Sequence, residues 1–408
     1  YHGEQLYHRP LFLERHGTTM NKPDIAIIGA GMSGLVAASS LQKLGFTPTV
    51  YEKSAVLGEV GAGLTMAPNA THALQFAGMT DALVKHGMSP GRGGVKHWQT
   101  GKLMISLERG DELREKFGAS YYHIHRADLH AALAAKVLAN DAGAIHLGCD
   151  FKTLHQDGSK VAVEFASGER ISADVVIGAD GVRSGVRAAL FGEDQPRFTG
   201  YIAFRGLVPF DALPPGIIDP PSCLSTGPDR SFTRYLIRNG QVVNYVALAQ
   251  RDGWQEEGWS IPATVDEVLQ EYQGWYEDVA TIIRATPDGS LFKWALCDRA
   301  TLPAWTQGRV TLMGDAAHPM LPFLGSGAAM AIEDAVILAR AFDCSDSIEA
   351  ALQRYFVARH ERTAWVAQKS REAALNYHSG RSEHYEPSKH LTAESLGIWA
   401  YNPAKVPI

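Results

Sequence analysis

From residue 24 the chain alternates short apolar runs with amphipathic stretches. Residues 24–29 predict a buried strand, 32–44 a helix and 47–52 a second strand, the βαβ order that builds a parallel sheet through a right-handed crossover. A helical pattern follows at 127–140, and the apolar run 171–178, ending in Gly-Ala-Asp-Gly, suits another buried strand. Between 199 and 302 the texture turns alternating and aromatic, and 201–208, 231–237 and 242–249 predict antiparallel strands separated by Pro and Gly turns. Residues 309–314 return to a buried strand, and 328–342 carry the periodicity of a long helix. The expected fold is α/β: a Rossmann-type nucleotide-binding domain interrupted by an antiparallel sheet domain and followed by a C-terminal helical region.

This pattern divides the chain into a leader at 1–19, a nucleotide-binding domain built from 20–95, 123–198 and 303–345, sheet-domain segments at 96–122 and 199–302, and C-terminal helices with a tail at 346–408. The leader mixes His2, His8 and His16 with Arg9, Glu14 and Arg15, and has neither the apolar core of a signal peptide nor the look of a transit peptide. It is set aside as an added or unprocessed extension. The tail beyond Ala373 reads as loosely structured until 396–401.

Composition narrows the function. The 408 residues are 45% apolar and 20% charged, and no run approaches the roughly 18 to 20 apolar residues of a membrane helix. A formal charge of −6 without a basic tract offers little to nucleic acid. Cys149, Cys223, Cys297 and Cys344 lie far apart, which argues against a zinc site or disulfide framework and fits a reducing cytoplasm. No metal site is expected.

Gly29-Ala30-Gly31-Met32-Ser33-Gly34 is a GxGxxG that follows a predicted strand and opens a helix, with Glu52 closing the next strand. There the glycines admit a tight turn, the helix N-terminus faces a pyrophosphate, and Glu52 accepts ribose hydroxyls, so the site suits FAD or NAD rather than NADP. A second constellation, Gly314-Asp315-Ala316-Ala317-His318-Pro319, ends another buried strand in Gly-Asp, and the loop Gly325-Ser326-Gly327-Ala328 then starts the long helix. A carboxylate for a polyol hydroxyl and a helix N-terminus for an anionic ring edge suit a flavin; an NAD dehydrogenase needs neither.

These motifs, with Asp180-Gly181, Gly61-Ala62-Gly63-Leu64, His125-Arg126-Ala127-Asp128-Leu129 and Ile332-Glu333-Asp334, resemble the fingerprints of single-component FAD-dependent aromatic hydroxylases. The branch holding salicylate hydroxylase, 3-hydroxybenzoate 6-hydroxylase and 6-hydroxynicotinate 3-monooxygenase is the most similar. The resemblance implies that Gly29, Gly31, Ser33, Gly34, Glu52 and Lys53 hold the ADP half of non-covalent FAD. Gly63, Leu64 and Arg126 would approach its middle, Asp180 and Gly181 would serve both FAD and the nicotinamide donor, and Asp315 would take a ribityl hydroxyl. Pro322, Gly325, Gly327 and Ala328 would surround the flavin ring. Arg126 also reads as a surface helix-start arginine, and Asp180 as a turn former.

The implied activity is a monooxygenation in which NADH or NADPH docks transiently and reduces FAD, oxygen forms a flavin hydroperoxide, and its terminal oxygen enters an electron-rich ring. The substrate is a small phenol, hydroxybenzoate or hydroxypyridine carboxylate; related flavoproteins acting on larger polycyclic substrates, and a flavin binder without turnover, are the alternatives. Ser231, Thr233 and Tyr235 share a strand face by their period of two and would line the pocket. Tyr235 would orient or deprotonate the ring hydroxyl, or be a core tyrosine. Arg205 would pair a substrate carboxylate or form a salt bridge within the sheet, and Thr65 completes the substrate set. His318 is a catalytic candidate and also a structural one, with Pro319 shaping the ring wall. Ser231 stands where the family often has histidine, and Ser326 where it commonly has glutamine, its hydroxyl being expected to cap the helix. A homodimer is an open possibility.

Overall fold

The structure, a computed structural model, describes residues 21–58, 61–251, 253, 261–377 and 392–408. The leader and residues 378–391 of the tail lie outside the described residues.

Ile25–Ile28, buried along its whole length, is the middle of a six-stranded sheet. It pairs in parallel with Thr49–Glu52 on one side and Val175–Gly178 on the other. Ile145–Leu147 and Val310–Leu312 extend the sheet outward, again in parallel. An all-apolar strand is what a sheet covered on both faces requires. Helices Met32–Lys43 and Gly327–Asp343 pack together on this sheet, their buried faces rich in alanine.

The second layer is an eight-stranded sheet. Its order runs Ile261–Pro262, Leu291–Asp298, Arg197–Pro209, Val242–Gln250, Arg230–Ile237, Ser222–Gly227, Gly91–His97, Leu103–Arg109. Phe204, Phe232 and Tyr245 on its outer face are sealed by Ile282 and Ile283 of the helix Glu277–Arg284. The inner face turns toward the nucleotide-binding sheet, and Ala203, Leu248 and Trp294 meet Leu321 and Phe323 there. Between the two large sheets lies a ribbon of two strands, Gly63–Met66 and Tyr122–His125.

Several boundaries move. Gly91–His97 and Arg197–Pro209 each cross an expected division, so the sheet domain takes up the chain at 91 and again at 197. The run 171–178 is two strands: Arg170–Ala173 joins a small antiparallel sheet and Val175–Gly178 the parallel one. The break falls at Asp174, whose carboxylate accepts the Asp24 amide at 2.9 Å and pairs with Lys160 at 2.9 Å. The last helix, Ile348–Tyr377, runs past Ala373. Residues 392–408 return to the core through Ile398 and Trp399, both buried.

Candidate active site

The cofactor side is built by close backbone approach. Gly29 has φ +106°, and a Cβ there would lie 2.5 Å from the Ala179 carbonyl oxygen; one at Gly34 would lie 2.0 Å from the Gly29 oxygen. Only glycine meets both demands. Gly31, in contrast, has no neighbour within 4 Å of a Cβ position, so this turn is open where a ligand would pass. Glu52 is fixed at the strand end, its carboxylate accepting the Ala30 amide at 2.8 Å and the Ser54 amide at 2.9 Å. Lys53 beside it is exposed.

The second glycine turn abuts the first. Gly314 has φ +59°, and a Cβ there would touch Ser33 Oγ at 3.1 Å. Its amide donates to Asp334 Oδ2 at 3.0 Å, and the same oxygen takes His318 Nε2 at 2.5 Å. Arg359 joins Asp334 and Glu333 at 2.6 Å each, and Arg362 and Asn69 complete the bonding of Glu333. Burial alone would raise both carboxyls, but the arginines, with His318 at Asp334, hold them below the usual range. His318 is therefore tied into the core and fixes the Gly-Asp turn.

Asp315, next along that turn, behaves oppositely. It is open to solvent, yet enough protein surrounds its carboxyl that burial raises it, with His318 and Arg126 acting to lower it. A solvent-reached carboxyl with a desolvated environment sits in a deep cleft. Asp180 faces similar burial, which raises it, while Ser184 Oγ and the Val186 amide donate to its oxygens. Gly181 has φ +80° and open space around it. Ser326 does not cap the helix as expected: its hydroxyl donates to the Leu324 carbonyl at 3.1 Å. The first amides of Gly327–Asp343 thus have no side-chain cap, beside exposed Pro322 and Gly325. Together these groups fit FAD: an open glycine turn for the pyrophosphate, Glu52 for the adenosine ribose, and Asp315 in the cleft for the ribityl chain.

The sheet side supplies a floor. Registration places Ser231 opposite Leu248, Thr233 opposite Val246 and Tyr235 opposite Asn244. Arg205 pairs with Val246 on the next strand, so these residues share the inner face. Arg205 stacks on Trp294 at 4.9 Å, its Nε is buried without a hydrogen-bond partner, and no carboxylate among the described residues forms an ion pair with it. Burial lowers it; Tyr235 opposes that, and Arg126 reinforces it.

Where ribbon and floor meet, Gly63 donates to Asn244 Oδ1 at 2.8 Å. His123 stacks on Tyr235, centroids 4.1 Å apart and planes 16° apart. Thr65 Oγ1 lies 3.2 Å from His123 Nδ1, and Ser222 Oγ 3.0 Å from Nε2. Burial, then Arg109, pushes His123 down to about 3, so it is neutral; burial raises Tyr235. His123, Ser222, Asn244, Tyr121 and Arg109 were not among the residues singled out from sequence. The one local signal is the alternation Tyr121, His123, His125, which puts three polar rings on one strand face.

The model of the family described as FAD binding domain matches residues 22–373. The chain belongs to the FAD-dependent aromatic hydroxylases. A 3-amino-4-hydroxybenzoate 2-monooxygenase of Streptomyces platensis is 36% identical over 95% of this hydroxylase and 98% of its own length. A 6-hydroxynicotinate 3-monooxygenase of Pseudomonas fluorescens is 34% identical over 84% and 89%. Among solved structures, a salicylate hydroxylase substrate complex superposes with a TM-score of 0.77 at 27% identity, over 93% of this chain and 96% of that one. The hydroxylase is a flavoprotein monooxygenase acting on an aromatic substrate. No helix among the described residues is long and apolar enough to cross a membrane.

Proposed function

We propose that this hydroxylase acts on a small ring bearing both a hydroxyl and a carboxylate, a hydroxybenzoate or hydroxypyridine carboxylate, with NADH or NADPH as reductant, in the cytoplasm. The observation that carries the reading is Arg205, a largely enclosed cation on the cleft floor, stacked on Trp294 and lacking an acid partner among the described residues. An enclosed guanidinium is costly unless an anion meets it, and a ring carboxylate supplies that anion in a bidentate fork. The names of the relatives above, each a hydroxylated aromatic or heteroaromatic acid monooxygenase, point the same way.

With the carboxylate on Arg205, the ring lies along Thr233 and Ser231, and its hydroxyl is directed toward Tyr235 and the Thr65 side of the floor. FAD, which the open glycine turn, Glu52 and Asp315 would hold, would supply the oxygen activation when bound. Pro319 and Pro322 wall the ring side, offering no N–H to compete for solvent. His318 acts by holding the Gly-Asp turn through Asp334. Tyr235 orients the ring hydroxyl; its raised phenol keeps it a neutral donor and acceptor.

The test is NAD(P)H oxidation with oxygen uptake and product analysis on FAD-loaded protein, across hydroxybenzoates, hydroxypyridine carboxylates and their carboxamides. One acid should stimulate turnover with product matching reductant consumed, its carboxamide should bind about tenfold or more weakly, and Arg205→Gln should erase that difference. Equal binding of acid and amide would remove Arg205 from recognition, and stimulation only by larger neutral phenols would overturn the substrate class.

A further inference from the structure

The strand Arg230–Ile237 turns Ser231, Thr233 and Tyr235 toward the floor's inner face, and burial raises the Tyr235 phenol, so none of the three is a base that would take the ring proton. The ribbon supplies a different path. Thr65 Oγ1, His123 Nδ1, His123 Nε2 and Ser222 Oγ are linked end to end by contacts of 3.2 and 3.0 Å. Thr65 and Ser222 are each partly open to solvent, while His123 between them is 1% exposed. Thr65 belongs to the strand Gly63–Met66, whose Gly63 lies against Tyr235 and Asn244 of the floor. Ser222 lies at the other end, beside Gly93 and the stem of Arg109, whose guanidinium reaches Glu394 near the surface at 3.2 Å. The chain of hydrogen-bonding atoms therefore joins two partly exposed residues through a buried one.

We propose that Thr65, His123 and Ser222 form a proton relay that takes the substrate's ring-hydroxyl proton out of the cleft, a role resting on the hydroxylated ring acid proposed above.

The ring O–H bond breaks as a new one forms on Thr65 Oγ1; the Thr65 proton passes to His123 Nδ1, the Nε2 proton passes to Ser222, and Ser222 releases its own to water. One proton leaves, the ring becomes the electron-rich phenolate, and His123 ends in its other tautomer without having carried charge. A proton returning by the same route to the oxygenated product resets it. Each member both donates and accepts, as a relay requires. A histidine held neutral by burial and by Arg109 conducts in this way rather than trapping the proton. Tyr235, stacked flat on the imidazole, fixes the plane in which both nitrogens meet their partners.

The test uses FAD-loaded enzyme mixed rapidly with the ring acid, without reductant, following phenolate absorbance and proton release to an indicator dye. Ser222→Ala should bind the acid with nearly unchanged affinity but form phenolate about tenfold or more slowly, and Thr65→Val should show the same slowing at saturating acid. His123→Phe, which preserves a ring against Tyr235, should do the same. Wild-type rates in Ser222→Ala and Thr65→Val with normal FAD content would overturn the relay, whether or not His123→Phe folds. If no ring acid perturbs the flavin spectrum of the wild type, the substrate reading itself fails, and the relay with it; binding with unslowed variants sinks the relay alone.

Discussion

The amide of Gly63 reaches the side-chain oxygen of Asn244 across 2.8 Å, joining the two-stranded ribbon to the floor of the eight-stranded sheet. That contact leaves no room for a side chain: a Cβ at position 63 would lie 2.5 Å from Tyr235 and 2.8 Å from Asn244.

Gly63→Ala should accordingly force ribbon and floor apart, costing about 1–3 kcal/mol in the way of an overpacked core. A lowered thermal midpoint together with reduced flavin absorbance per protein is the expected result. An unchanged midpoint would mean that the two layers are not held in this register.

Asp315 should trade stability for cofactor binding. Because burial raises its carboxyl, the native state prefers the protonated form, so its stabilising contribution is complete below the ordinary carboxylate range and is lost as pH rises through the raised value. Asp315→Asn should make the FAD-free protein melt higher at pH 7 and no differently near pH 3, while FAD retention falls about tenfold with the loss of a charged hydrogen bond. Equal retention of FAD would detach Asp315 from the ribityl chain.

Arg359→Met should be among the most damaging single changes. It leaves Glu333 and Asp334 buried with fewer partners, a loss of about 3–5 kcal/mol. The pH dependence should change as well. In the wild type both carboxyls are held low, so their contribution is present above the ordinary carboxylate range and lost as pH falls through the depressed values. In the variant burial meets less opposition at both carboxyls, so that contribution is already lost at neutral pH and stability should fall less steeply on acidification than in the wild type, read by circular dichroism melts across a pH series.

His318→Leu should act through stability and not through proton chemistry. Removing its bond to Asp334 should cost about 1–3 kcal/mol and loosen FAD, whereas the pH dependence of phenolate formation should match the wild type. A displaced pH profile in a fully stable variant would return His318 to the reaction.

The nucleotide-binding half was legible because its signals are local. A glycine turn between a buried strand and a helix, followed by Glu52, describes its own geometry, and Gly29, Gly34 and Gly314 stand in the tight turns that those motifs require. The inner-face set Ser231, Thr233 and Tyr235 was legible for the same reason, since period two is a property of the strand alone. His123 was not. Its importance comes from Thr65, 58 residues earlier, and Ser222, 99 residues later, and no spacing rule connects them. The split at Asp174 was hidden because apolar periodicity continues through it; what ends the strand is a carboxylate taken up by Asp24 and Lys160. Ser326 misled by type: a serine before a helix usually caps it, but here its hydroxyl is bonded backward to Leu324.

The ribbon Gly63–Met66 with Tyr122–His125 pairs with neither large sheet. Side chains on the floor strands Arg197–Pro209, Arg230–Ile237 and Val242–Gln250 can thus be exchanged, and the ring they recognise altered, without disturbing a hydrogen bond in the parallel sheet. The seam between the layers is bounded by the contacts around Gly63, His123 and Asn244 and by the packing of Ala203, Leu248 and Trp294 on Leu321 and Phe323. A library confined to the floor strands and sparing those residues would vary the ring pocket while leaving the joint between the layers in place.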